Sequence, residues 1–305
     1  MTAAPLQGAG RWLAVGALVF NAFTWGVSWW PFRQLGAQGL HPLWLTGYIY
    51  SIAVVVLLLA RPAAFGQLLR TRSLWWLVLA AGGTNACFNW AVSIGDVVRV
   101  VLLFYLMPLW TVLLSRLLLG ERISTRGAVR VGLALAGALV VLWPAAGTAH
   151  AAAGPATGAA PGLLPDLLGL LGGFFFALNN VMLRREAHQP ESVRALSMFV
   201  GGAVVALVLA LWLTASGLAT RPPPLAWGWV LPALGLAVWF LASNLTLQYG
   251  AARLPANTTA VVMISEVFFA SASALALGAG SLGWREALGA SMILGGALLA
   301  SVQRD

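Results

Sequence analysis

Ten runs of roughly twenty apolar residues, divided by short arginine-bearing loops, occupy almost the whole chain. A run of about 20 such residues crosses a hydrocarbon layer of about 30 Å as a helix. Lipid offers the backbone no hydrogen bonds, so a spanning chain must pair every amide and carbonyl internally, as a helix or a closed barrel. The runs are continuous rather than alternating, which selects helices. With 60% hydrophobic and 8% charged residues among 305, no water-soluble domain of useful size can be set apart. The pattern therefore predicts an all-α polytopic membrane protein with ten transmembrane helices over 12–30, 43–60, 73–93, 97–119, 128–143, 167–183, 193–213, 227–249, 256–278 and 286–302. Arg11 before the first apolar run resembles the start of a cleaved leader. That run is too long and too rich in tryptophan for one, and no small-residue cleavage site follows it.

All seventeen basic residues are arginine. If the amino terminus is cytoplasmic, thirteen of them fall on the cytoplasmic side and only Arg33, Arg99, Arg221 and Arg285 on the other. The positive-inside rule then places both termini in the cytoplasm, as expected for a protein of a bacterial inner membrane. The net charge of +9 is dispersed over short loops, so nucleic acid is not a partner. Trp12, Trp29, Trp30, Trp44, Trp75, Trp76, Trp143, Trp227 and Trp284 sit at span ends, where an interfacial belt is expected.

Residues 144–165 are almost entirely Ala, Gly, Pro and Thr, a composition that reads as a flexible tether. It separates 1–143 from 166–305, five spans from five. The halves echo one another: Gly120 and Gly137 recur as Gly278 and Gly295 at an interval of 158, Asn89 and Gly95 as Asn244 and Gly250 at 155, and Arg33 as Arg184 at 151. An odd number of spans per half makes the two repeats inverted, a recurrent plan of carriers whose site lies near the bilayer midplane.

The run Leu102-Leu103-Phe104-Tyr105-Leu106-Met107-Pro108-Leu109-Trp110-Thr111, continuing to Leu119-Gly120-Glu121-Arg122, resembles the signature of EamA-type carriers of the drug/metabolite transporter superfamily. The second-half counterpart, from Ile264-Ser265-Glu266-Val267-Phe268 to Gly278, departs from it: the resemblance leads one to expect proline at Glu266 and glutamate at Ala279. Within that family the chain is most similar to the YddG-type exporters of aromatic and other neutral amino acids. The resemblance implies a secondary transporter that works by alternating access.

Glu266 is the one acidic residue expected near the bilayer centre, where a charge costs at least ~3 kcal/mol. Three roles stay open for it: proton coupling, binding of a substrate ammonium, or a neutral carboxyl bonded to neighbouring groups. Pro108 occupies the equivalent position 158 residues earlier; it frees the carbonyl of Phe104 and serves as a hinge or as a static kink. Asn85 and Asn89, Asn179 and Asn180, and Asn244 supply polar stripes, which line a cavity or join helices. Trp90, Tyr105, Trp110 and Trp239, with Phe104, are candidate apolar walls. Arg99 and Arg116 are far enough apart on one span to reach opposite interfaces.

With no fixed cation near a span centre, phosphorylated substrates are disfavoured. A small neutral amino acid with an aromatic or apolar side chain fits better; a lipophilic organic cation is the alternative. The partners expected are thus a small-molecule substrate, the lipid bilayer and, through Glu266, protons. An intramembrane enzyme would need a serine–histidine pair, a metal cluster or paired acids within the spans. His41, His150 and His188 all fall in loops, and nothing calls for a cofactor.

Overall fold

The computed structural model describes residues 9–120, 125–142, 163–251, 253–254 and 256–301. All regular structure among them is α-helical. The tether expected over 144–165 lies outside the described residues up to position 162, and its last three residues open a helix. Trp143, Glu121 and Arg122 also lie outside.

The first crossing is α1 (Ala9–Val27) continued by α2 (Trp29–Ala37). It is followed by α3 (Pro42–Ala60), the short α4 (Ala63–Arg70), α5 (Leu74–Ile94), the pair α6 (Val97–Phe104) and α7 (Met107–Leu119), and α8 (Thr125–Leu142). The remainder comprises α9 (Leu163–Arg185), α10 (Glu191–Ala215), α11 (Trp227–Ala251), the pair α12 (Ala256–Met263) and α13 (Ser265–Ala276), and α14 (Trp284–Ser301). Among the described residues, seven stretches are long and apolar enough to cross a membrane: Gly10–Ala37, Pro42–Ala60, Leu74–Ile94, Val97–Leu118, Leu163–Arg185, Glu191–Ala215 and Trp227–Ala251. Val131–Val141 and Val261–Ala276 are shorter apolar helices.

Three crossings expected to be continuous are interrupted. At Ser28, Pro31 has no amide to offer the carbonyl of Val27, and the Ser28 hydroxyl bonds instead to the Trp25 carbonyl at 2.9 Å. At Tyr105–Leu106, Pro108 withholds an amide from Phe104 in the same way. At Ile264 there is no proline. Here the Ser265 hydroxyl donates to the Val262 carbonyl at 2.6 Å, and Ile264 and Val267 close tight i→i−3 bonds on either side. The two later breaks match in register, for α7 and α13 begin 158 residues apart. Their ends match too. Gly120 (φ 72°) and Gly278 (φ 66°) both take the left-handed conformation that favours glycine beyond a helix end.

Small residues set how closely these helices approach, because lipid tails supply no hydrophobic drive for association. A methyl on Gly201 would stand 2.1 Å from the Val78 carbonyl oxygen, and one on Gly82 would stand 2.4 Å from the Gly201 oxygen, so α5 and α10 touch backbone to backbone. Gly83 faces the ring of Phe175 on α9, and Gly137 of α8 meets Gly289 of α14. Gly295, the counterpart of Gly137 at the interval of 158, by contrast has nothing within 4 Å of its missing side chain. The tryptophans divide as well. Trp12, Trp227 and Trp284 are exposed, whereas Trp29 and Trp44 are buried, their indoles donating to Ser273 (3.0 Å) and Thr214 (3.3 Å). Two clusters of crossings result: α9 lies against α5, α6 and α7, and α1 lies against α11, α12 and α13.

Candidate functional site

The two matched breaks meet. Tyr105, in the α6–α7 break, is buried, and its hydroxyl lies 3.2 Å from the Met263 carbonyl oxygen and 3.3 Å from Oε2 of Glu266. Met263 is the last residue of α12, where a helix leaves carbonyls without intrahelical donors. Glu266 is the second residue of α13 and Pro108 the second of α7. This explains why the second half tolerates glutamate where proline is expected. A first turn has no use for the amide proline lacks, and its free amides and dipole favour an acidic side chain. The carbonyl that Pro108 frees is approached by α9 at Gly173, where a methyl would stand 2.5 Å from the Phe104 oxygen. Only glycine admits α9 there.

An aromatic chain leads away from Tyr105. Its ring lies 6.2 Å from that of Phe104, which contacts Phe88 (4.8 Å) and Phe176 (5.4 Å). Phe88 continues to Trp25 (6.3 Å), and Trp25 stands edge-on to Phe240 at 4.9 Å. Six rings from α1, α5, α6, α9, α11 and the α6–α7 break thus form one wall beside the Tyr105–Glu266 contact. Phe88, Phe176 and Phe240 carry no sequence signal that separates them from other apolar residues of their spans.

The predicted polar residues do not all converge. Asn85 accepts from the Tyr50 hydroxyl and donates to the Ala81 carbonyl at 2.8 Å, and Asn89 donates to Thr46 Oγ1 at 3.1 Å, so both face α3. Asn244 donates to the Phe240 carbonyl within its own helix at 2.9 Å. Asn179 is buried on α9, and its Oδ1 has no hydrogen-bond partner among the described residues; Asn180 beside it is half-buried. Trp110 packs edge-on against Phe174 at 5.6 Å. Trp90 contacts the His41 ring, which caps α3, and so lies toward a span end. Trp239 donates to Thr24 Oγ1 at 2.7 Å and is 39% exposed, which sets it between α11 and α1 rather than beside Glu266.

A second polar cluster forms where α2, α5 and α13 end and α6, α9 and α14 begin, here termed the far face. Arg99 grips Asp166 with two bonds of 2.8 Å, from Nε and Nη2, and donates Nη1 to the Val141 carbonyl at 2.7 Å. Asp96 caps α6 through the Arg99 amide (3.0 Å), and its other oxygen accepts from the Ser281 amide (2.8 Å) and hydroxyl (3.3 Å). The Val97 amide donates to the Ala279 carbonyl at 3.2 Å. Arg33 donates Nε to the Val92 carbonyl at 3.1 Å and Nη2 to the Gly95 carbonyl. Arg99, expected only to reach an interface, is instead the hub of a bonded network.

Residues 12–143 match the EamA-like transporter family. No curated protein matches the chain. A crystal structure of another protein, 23% identical in sequence, superposes over 94% of this chain and 96% of its own with a TM-score of 0.56, which is a likeness of fold.

Proposed function

We propose that this chain, whose residues 12–143 carry an EamA-like transporter domain, is a ten-span carrier built from two inverted five-helix repeats, 1–143 and 166–305, that exports small neutral amino acids with aromatic or apolar side chains. Its setting is a bacterial inner membrane with both termini in the cytoplasm. The observation that carries this reading is the Tyr105–Glu266 contact between two crossings broken at matching positions. Interrupted helices recur at the midplane sites of carriers, where helix ends and freed carbonyls meet the cargo.

The chemistry of that contact supports proton coupling. A phenol has one proton, yet Tyr105 faces two acceptors, the Met263 carbonyl and the Glu266 carboxylate. The trio is fully bonded when Glu266 brings a proton of its own and donates to Tyr105, which then donates to Met263. An arriving substrate ammonium can replace that proton, while the aromatic wall from Tyr105 to Trp25 receives an apolar side chain. Asn179, with an unmatched buried acceptor, and Pro108, at the start of α7, complete the machinery as polar contact and hinge.

The test is reconstitution of the purified protein in lipid vesicles and measurement of counterflow with neutral amino acids, lipophilic cations and sugar phosphates. Saturable counterflow of aromatic amino acids is expected. Counterflow of cations alone would transfer the site to that class, and leakage without saturation would replace a carrier by a channel.

A further inference from the structure

Arg33 and Gly95 belong to the sequence echoes, at intervals of 151 and 155, that recur as Arg184 and Gly250. In the folded protein the first pair is in contact. Arg33, on α2, donates to the carbonyl of Val92, in the last turn of α5, and to that of Gly95, which caps the helix. The Val92 carbonyl lacks an intrahelical donor and carries the negative end of the helix dipole, so a guanidinium is its natural partner. The arginine is held ready from behind: its guanidinium carbon lies 5.2 Å from the ring of Trp29, and the Trp29 indole donates to Ser273 on α13.

The grip crosses between the two clusters of crossings. Arg33 continues the crossing of α1, which packs on α11, α12 and α13, whereas Val92 and Gly95 end α5, which packs on α9. The same α5–α6 turn is seized from the other side by the α13–α14 loop, through Ser281 on Asp96 and Ala279 on Val97. The turn itself is stiffened by its own cluster, since Arg99 ties it to Asp166 at the start of α9. It is thus a rigid peg in a two-sided jaw. At the near face Arg184 stands in the last turn of α9, exposed, and Gly250 lies near the end of α11. The positions correspond: Gly95 is pressed by Pro165 at the start of α9, and Gly250 by Leu18 and the Ala14 carbonyl near the start of α1.

We infer that Arg33 and Arg184 are alternating clasps: Arg33 shuts the far face by holding the end of α5, and Arg184 shuts the near face by holding the end of α11 when the far face opens. This rests on the alternating-access reading above. Simple interfacial anchoring would not give the two arginines opposite effects on one equilibrium, whereas a pair of clasps does.

Double electron–electron resonance in nanodiscs tests it without any substrate. In a Cys87→Ser background, spin labels at Leu163 and Leu282 report the far face, and labels at Ala187 and Ala251 the near face; all four positions are exposed. Arg33→Gln removes the charge-assisted bonds to the Val92 and Gly95 carbonyls and should raise the far-open population about tenfold, lengthening the first pair of distances and shortening the second. Arg184→Gln should shift both pairs the other way, and the double variant should return toward the parent. Arg33→Lys, which keeps the charge but not the two-pronged grip, should move the same way by less; it serves where the glutamine variant does not fold. Distances unchanged in the Arg33 variants, or moved in the same direction by Arg184→Gln, overturn the clasp. If the parent also shows no counterflow the carrier reading fails; if counterflow persists, only the clasp does.

Discussion

Replacing Asp166 by Asn removes the charge that faces Arg99 while nearly preserving shape. Two bonds of 2.8 Å from one guanidinium to one carboxylate are lost or weakened. Bonds to charged groups contribute about 1.5–3 kcal/mol each, for a gross figure of about 3–6 kcal/mol. The side chains are 22% and 12% exposed, so solvent screens part of this, and a coupling energy of about 2 kcal/mol remains, well above the ~0–1 kcal/mol of an open surface pair. The single variant should lose more than that, about 3 kcal/mol, because Arg99 is left half-buried without its counterion. Arg99→Gln also forfeits the bond to the Val141 carbonyl, so the pair energy must come from a double-mutant cycle. Unfolding would be followed by circular dichroism during titration with sodium dodecyl sulfate in mixed micelles, with Asp166→Asn, Arg99→Gln and both together. A coupling below about 0.5 kcal/mol would mean that the pair does not stiffen the α5–α6 turn, which would then be no rigid peg.

Glu266→Gln should slow counterflow on the order of tenfold or flatten its dependence on pH while melting is little changed, and Tyr105→Phe should follow it; unchanged rates across pH would remove the coupling role. Pro108→Ala sits in a first turn where proline's missing amide matters little, so it should alter stability by no more than about 1 kcal/mol yet slow turnover; parent-like turnover counts against a hinge. Gly201→Ala would put a carbon 2.1 Å from the Val78 oxygen, where C···O contacts ordinarily need about 3.3–3.6 Å. It should destabilise by about 3 kcal/mol or prevent assembly, whereas Gly235→Ala, with nothing within 4 Å, should stay within about 1 kcal/mol of the parent in the same melting assay. His41, between two crossings, caps α3 by accepting from the Leu43 amide at 3.2 Å, and burial lowers its pKa below the ordinary value near 6.5. The unfolded chain therefore binds a proton first as pH falls, so stability should decline below about pH 6.5 until the folded imidazole also protonates; a melting temperature flat from pH 7 to 5 would contradict this.

Composition is sufficient for the all-helical character of the described residues and for seven apolar crossings among them, because in lipid a crossing must satisfy its own backbone and so declares itself as an apolar run. The interval of 158 was legible too, and the matched left-handed glycines at 120 and 278 give it a conformational meaning. Glu266 stood out because charge is scarce in such sequence. What could not be read was which polar groups meet. The break at Ile264 has no proline to announce it, since a serine hydroxyl and two tightened turns produce it. Asparagines at good helical spacing turned toward α3 rather than toward Glu266, because spacing fixes a face but not the neighbour that face will meet. Trp239, alike in sequence to any other deep tryptophan, bonds to Thr24 on α1. The partner of Glu266 is a tyrosine 161 residues away, and that of Arg99 an aspartate 67 residues away. Local physics decides whether a stretch is a helix in oil; only the packing of helices with small residues at their contacts decides which distant groups come within hydrogen-bonding reach.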